Sequence, residues 1–313
     1  MRSPGCWSGR LREERRRRRA EETLVSVETF KFRSRLRALT DGAVTALAIL
    51  ATVLVVAPLV AIFGYLVFKG TNSLSMAFFT HVPKPPGEVG GGMANAILGS
   101  GILLAVASAI GVPIGIGGGI YLAEFGRGTK LANAVRFTAD VLNGVPSIVM
   151  GLAIYSLIVV PQKHFSALSG GVALGIMMIP TVCRTSEEML LMVPHAVREA
   201  ALGLGVPNWR SVLSITVKTA SPGIITGCML AFARVAGETA PLIFTALGNQ
   251  FWSSSLNQPI AALPLQIYVY AISPYDDWHR LAWAGALVLI VLIVLAVSLV
   301  RFVTSRGVLK GAS

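Results

Sequence analysis

Apolar positions in this chain gather in long runs that no charge interrupts. Gly42 to Phe68 is 27 residues without a formal charge, and Met93 to Ala123 is 31. A hydrocarbon core about 30 Å thick needs roughly 20 helical residues to cross it. Both runs therefore predict membrane-crossing helices. Reading hydropathy and charge together along the whole chain predicts six spans, at about 42–68, 94–122, 134–159, 169–193, 220–246 and 281–303. The expected fold class is all-α, a polytopic membrane protein with six transmembrane helices.

The polar segments between the spans alternate in character. One set carries the basic N-terminal segment, then Arg127 and Lys130, then Arg198, Arg210 and Lys218, and finally Arg301, Arg306 and Lys310. The other set has Lys69 and Lys84, then Lys163, then Arg280 beside Asp276 and Asp277. Lys and Arg are retained on the cytoplasmic face, so both termini are expected there, as an even number of spans also requires. Of the outer segments, 69–92 is rich in Pro and Gly. Residues 248–280 carry Phe251, Trp252, Tyr268, Tyr270, Tyr275 and Trp278. Such aromatics form an interfacial belt or a surface on which a partner docks.

Composition agrees with the spans. Hydrophobic residues make up 54% of the 313, charged residues only 13%, and mean hydropathy is +0.68. Soluble domains carry roughly 25% charged residues, so this chain cannot cover a water-facing surface. The net charge of +12 is unevenly placed: residues 1–40 hold twelve Lys or Arg against five Glu. The run Arg15 to Arg19 could suggest nucleic acid. A disordered cytoplasmic tail drawn to anionic lipid headgroups explains it better, and no nucleic-acid partner is expected. A start of translation near Leu24, Val25 or Val27 is a further reading, since no Met lies between Met1 and Met76. The first apolar run is too long for a signal peptide. Cys6, Cys183 and Cys228 are far apart, and His81, His164, His195 and His279 are scattered. Neither a disulfide framework nor a metal site is suggested.

Within the second span, Gly111, Gly115 and Gly119 recur every four residues, a ridge that lets helix backbones approach closely in lipid. Its expected role is packing. Gly117 and Gly118 complete no phosphate-binding fingerprint, and no GxxxxGK[ST] occurs. Ionisable residues inside spans are costly and usually face a bundle interior or a water-filled path. Four places qualify: Asp140, Arg184 with Glu187 and Glu188, Arg234, and Glu238. Arg184 can pair with Glu187 and Glu188, and Arg234 with Glu238, each along one helix face. Structural ion pairs are one reading. The other starts from Arg234, expected near the middle of span five. A guanidinium binds a tetrahedral oxyanion through two parallel hydrogen bonds, and Glu238 would orient it and moderate its charge. Arg184, nearer the cytoplasmic end, is expected to be ion-paired or a secondary contact.

Between spans four and five the chain reads Arg198-Glu199-Ala200-Ala201-Leu202-Gly203-Leu204-Gly205, then Val206-Pro207. Glu199-Ala200-Ala201 should lie on a short helix that starts after Pro194 and stops at Gly205. Small residues followed by a glycine break suit a helix slotted into a groove on another protein. Glu199, Ala200, Ala201, Gly205 and Ile215 also fall at the spacing of the coupling loop in ATP-binding-cassette importer permeases, which this segment resembles. Val217 and Lys218 depart from that pattern, so the following bend is expected to be softer or shifted toward Pro222. The strings IPTVCRTSEEMLLMVP (179–194), RVAGETAPLIFTALGNQFW (234–252) and QPIAALPLQIYVYAISP (258–274) resemble the phosphate permeases of that family, over nearly all of residues 41–305.

The resemblance implies a type I importer permease of the bacterial inner membrane, with phosphate as substrate. It implies a second phosphate permease subunit, a cytoplasmic ATPase dimer that binds ATP and Mg, and a periplasmic or lipid-anchored phosphate-binding protein. It places Arg234 on the phosphate path, and the loop around Glu199 against the ATPase. No cofactor and no catalytic residue are expected in this chain. The organisation implied is a basic tail at 1–40, a permease domain at 41–305 with its core at about 94–303, a coupling loop at 194–218, and a cytoplasmic end at 306–313. Other readings are a permease for sulfate, molybdate or phosphonate, an ion-coupled carrier using Asp140 or Glu238, or a membrane scaffold.

Overall fold

The computed structural model describes residues 40–88, 90–126 and 128–310. The basic segment with Arg15 to Arg19, Cys6, the candidate starts near Leu24 and the loop residue Arg127 lie outside the described residues. Every described element is a helix or a turn, apart from one isolated bridge between Leu247 and Ile260.

The chain separates into two compact units, one ending at Tyr65 and one starting at Leu66. The described part of the first unit is a single apolar helix whose side chains are all exposed. That helix, α1, runs Thr40–Ser73, and its last turns belong to the second unit. There follow α2 (Met76–Thr80), α3 (Ala94–Phe125), α4 (Lys130–Gly144), α5 (Ser147–Gln162), α6 (Ala167–Leu191), α7 (His195–Gly203), α8 (Asn208–Ala236), α9 (Ala240–Thr245), α10 (Leu263–Ala271) and α11 (Asp276–Lys310). Five of these are long and apolar enough to cross a membrane singly: α1, α3, α6, α8 and α11.

The heart of the second unit is the contact of α3 with α6. A Cβ added at Gly111 would lie 2.8 Å from the Cβ of Met178, at Gly115 2.6 Å from that of Val182, and at Gly119 2.5 Å from that of Ser186. Each pair is 67 residues apart, so the two helices run in the same direction. The predicted glycine ridge is therefore a packing surface, on which the backbones approach more closely than any side chain would permit. Between two parallel helices the chain must return to the end from which it started. The intervening pair α4 and α5, bent by 106°, must make that return, so it counts as one crossing and the described residues make six. The bend follows from Pro146, which has no N–H to continue the ladder and holds Val145 extended at φ −70°, ψ 130°.

The remaining spans fit the same scheme. On α8, Gly223 meets Met189 and Gly227 meets Thr185, an antiparallel register against α6. On α11, a Cβ at Gly285 would come within 2.9 Å of Met93 Sδ, and one at Gly70 of α1 within 2.8 Å of Leu287 Cβ. The end of α1 and the starts of α3, α6 and α11 thus share one end of the bundle, called here the near end. The other is the far end. A buried core of Leu103, Met178, Val182, Leu190, Val235 and Leu242 fills the centre. A second cluster, with Phe78, Met93, Leu263 and Tyr270, sits at the near end.

Two predicted spans need correction. The third, predicted at 134–159, is the bent pair and not a straight helix. The fifth, predicted at 220–246, begins earlier, at Asn208, and stops at Ala236. The loop predicted at 194–218 is accordingly short, and Pro222 lies inside α8 without breaking it. The predicted bend after the loop is a π-helical turn at Val212–Thr216. The outer aromatics divide. Phe251 and Trp252 are exposed, whereas Tyr270 is buried and stacks on Trp278 at 4.6 Å.

Candidate functional site

The break in the fifth span is the first feature with chemical content. Gly237, Glu238 and Thr239 interrupt the helix, and Pro241 stands in the first turn of α9. The last turn tightens: Gly237 N–H donates to Arg234 C=O at 3.3 Å, and Glu238 N–H to Val235 C=O at 3.1 Å. Val235, Ala236 and Glu238 share a narrow crevice with Ser100 and Leu103 of α3 and Leu174 of α6. Leu174 stands seven residues into α6, or about 10 Å at 1.5 Å per residue. The helix therefore ends inside the bundle, not at its surface. The polypeptide continues as a covering segment over the near end. Asn249 C=O accepts from Asn95 Nδ2 at 2.8 Å, and Ser100 Oγ accepts from Leu263 N–H at 2.7 Å. Gln258 and Leu256 carbonyls accept from Ala167 and Leu168, two of the amide groups that the first turn of α6 leaves without helical partners.

Arg234 was expected at the middle of a straight span, and the structure places it in the last turn of α8. Its side chain is exposed and Glu238 is half-buried. Among the described residues no ion pair joins Arg234 to Glu238. The helix ends between them, so the four-residue spacing no longer sets them on one face. A cation in the last turn does complement the partial negative charge of the helix end. That complement leaves the guanidinium fork open on its outer side.

Arg184 is arranged differently. Glu187, 3% exposed, accepts from Arg184 Nη1 at 3.2 Å and from Arg136 Nε at 2.7 Å, while Arg184 Nε lies 3.4 Å from Asp140. Arg136 also donates to Leu122 C=O at 3.2 Å and Asn133 Oδ1 at 3.3 Å. Two acids and two bases from α4 and α6 thus neutralise one another, with α3 supplying a carbonyl. Glu188, predicted as a partner of Arg184, is exposed and joins no ion pair among the described residues. Arg136 was missed by sequence reading, although it lies within the predicted third span. The available signal was its four-residue spacing from Asp140 on an amphipathic helix. Arg184 is ten residues beyond Leu174 on α6, about 15 Å farther from the near end. Arg234 and Arg184 therefore sit at two depths of the same bundle.

At the far end, α7 takes the form predicted for it. Pro194 caps its start and Gly205, at φ +77°, reverses the chain before Pro207. Only glycine adopts that backbone without strain. Ala201 is buried against the bundle, while Glu199, Ala200, Leu202 and Leu204 face outward with Trp209. Four apolar side chains beside a glutamate form an exposed apolar patch, of the kind that marks interaction sites. Among the described residues no cluster of three potential metal ligands occurs.

Residues 115–307 match the family of binding-protein-dependent transport system inner membrane components. The chain is similar to the phosphate transport system permease protein PstA of Yersinia pestis, with 49% identity over 77% of this chain and 81% of that one. It is also 36% identical to PstA 1 of Mycobacterium tuberculosis strain H37Rv, over 80% of this chain and 83% of that one. In fold it is similar to an inward-facing methionine transporter, MetNI, with a TM-score of 0.53 and 20% identity, covering 70% of this chain and 96% of that one.

Proposed function

The chain belongs to the family of binding-protein-dependent transport system inner membrane components, and from that premise we propose that Arg234, in the broken fifth span, receives phosphate in transit. The chain is the multi-pass inner-membrane permease subunit of a phosphate importer of the ATP-binding-cassette class. It works with a partner permease and an ATPase, and is a transport subunit and not an enzyme. The observation that carries the proposal is a guanidinium with no counter-ion among the described residues, on a helix that stops inside the bundle. A charged group at that depth persists where it serves a path or a partner.

The sidedness follows from charge. Lys130, Arg198 and Arg210 gather at the far end, and Lys69, Lys84 and Lys163 are spread over the near end. Retention of positive loops supports a cytoplasmic far end and both termini inside. Phosphate would arrive at the near end from a binding protein, in a path shared with a second phosphate permease. It would meet Arg234 first and pass Arg184 later. Asp140 and Glu187 already hold Arg184, so the inner step attracts an anion weakly and favours release. Glu238 lies in the crevice beside the helix break and, among the described residues, makes no ion pair with Arg234, so the outer step keeps its charge for the anion. ATP binding by the ATPase dimer would move the surface formed by Glu199, Ala200 and Gly205, with Ala201 seated against the bundle beneath it, shifting the bundle between two arrangements. The 41–305 region is the unit that does this, and residues 1–40 and 306–313 are cytoplasmic extensions.

The test is uptake of labelled phosphate by the reconstituted complex, with and without ATP and with sulfate as competitor. Hydrogen bonds to a charged group contribute about 1.5–3 kcal/mol, so Arg234→Ala should lower uptake roughly 10- to 100-fold, with Arg234→Lys intermediate. Normal uptake by a correctly inserted Arg234→Ala variant defeats the assignment. Inhibition by sulfate as strong as by unlabelled phosphate would favour a broader oxyanion permease.

A further inference from the structure

Arg198 immediately precedes Glu199, yet its side chain turns away from the exposed surface of α7. Its Nη2 donates to Glu124 Oε1 at 2.7 Å and to Leu190 C=O at 2.7 Å, and its Nη1 donates to Val193 C=O at 3.3 Å. Glu124 lies in the π-helical turn that ends α3, 74 residues away in sequence. Leu190 belongs to the last turn of α6, where carbonyls lack helical partners. One guanidinium thus ties α7 to the ends of both helices of the parallel pair.

The setting makes this contact stiffer than an ordinary surface pair. Arg198 is 12% exposed and Glu124 9%, so water and salt screen them little. The helical ladder is broken on either side of α7, by Pro194 before it and by Gly205 and Pro207 after it. The backbone alone would let α7 swing on α6. Across the gap to α3, the charged bond supplies the tie. Because α3 and α6 are locked to each other along the glycine ridge, a load on α7 that reaches both ends moves them as one body.

We propose that Arg198 and Glu124 form a latch through which α7 transmits its displacement to α3 and α6 together. Both are positioning residues, and neither need touch phosphate or ATP. The inference rests on reading α7 as the helix on which the ATPase acts. Lysine at 198 keeps the charge but cannot bond a carboxylate and two carbonyls in the fork geometry of arginine. Glutamine at 124 keeps the shape but removes the charge.

The experiment uses the assembled complex in liposomes, with spin labels at the exposed positions Ala196→Cys and Phe125→Cys, in a chain whose Cys6, Cys183 and Cys228 are replaced by alanine. With the latch intact, the distance between the labels stays within about 2 Å between the nucleotide-free and the ATP-vanadate states. In Glu124→Gln and Arg198→Lys it changes or broadens. Phosphate moved per ATP hydrolysed falls about tenfold, the loss of one charged hydrogen bond from the transmitting state, while the ATPase still co-purifies. Unchanged phosphate-to-ATP ratios in both variants overturn the latch. So does loss of the ATPase from them, which would make the contact merely a builder of the loop. A native chain that moves no phosphate but keeps the fixed label distance would reject the substrate and retain the latch.

Discussion

Adding one methyl group to the glycine ridge should separate close packing from every other contribution. In Gly115→Ala the new Cβ would stand 2.6 Å from Val182 Cβ, 2.8 Å from Val182 Cγ1 and 3.1 Å from Ile179 C=O. Carbon atoms settle at about 3.5–4.0 Å, so α3 and α6 must move apart by roughly 1 Å at this level. Gly111 and Gly119 hold the same register one turn to either side, which prevents a purely local adjustment. Overpacking of this kind costs about 1–3 kcal/mol. Alanine also stabilises a helix by roughly 0.5–1 kcal/mol relative to glycine. The control is Gly117→Ala on the same helix, where nothing lies within 4 Å of the added atom. That variant receives the helix gain without the clash. Gly115→Ala should thus be less stable than Gly117→Ala by about 1–3 kcal/mol. A difference of that size corresponds to an apparent melting point lower by roughly 2–10 °C for a domain of this order. Thermal aggregation followed by size-exclusion chromatography in detergent, at one heating time for all samples, measures it. Equal melting points for the two variants would refute the parallel, backbone-close contact on which the six-crossing topology stands.

Two further outcomes follow from the charged residues and from the turn at the far end. Glu187→Gln leaves Arg136 and Arg184 facing a neutral amide, and because both arginines are partly exposed the cost is about 1–3 kcal/mol, below the figure for a fully buried pair. Arg136→Ala should cost less, since Arg184 still holds Glu187. Thermal midpoints that rank the two variants the other way contradict the network. At Gly205, φ is +77° and nothing lies near an added Cβ, so Gly205→Val strains only the backbone, by about 1–2 kcal/mol. The end of α7 should fray and the ATPase should be retained less well on co-purification, as it should in Glu199→Arg. Full retention in both variants would remove α7 from the interface.

Much of the scaffold is legible from apolar length alone. A run such as Met93 to Ala123 has one stable destination, because an uncharged stretch of that length cannot be hydrated and its backbone must bond within itself. The glycine ridge is legible for a related reason: Gly111, Gly115 and Gly119 share a face by helical period whatever lies opposite. The turn at Gly205 is legible because its cause is local. The fifth span was misplaced because hydropathy does not register a break at Gly237 to Thr239, where the residues are small or only singly charged. Arg136 escaped notice because its partner, Glu187, is 51 residues away.

The order of the residues by itself specified a membrane protein of helices, the close-packed face of α3, the small helix with Glu199, and that Arg184 and Arg234 had to be accounted for. Those are consequences of short-range chemistry: chain length against slab thickness, helical period, and the backbone freedom of glycine. The fold alone settled that α3 and α6 run parallel, so that the bent α4 and α5 make a full crossing. It alone brought Asp140 and Arg136 to the expected Arg184–Glu187 pair and left Arg234 without an ion-pair partner among the described residues. Charge compensation acts over a few ångströms, and only packing decides which distant side chains come within that range.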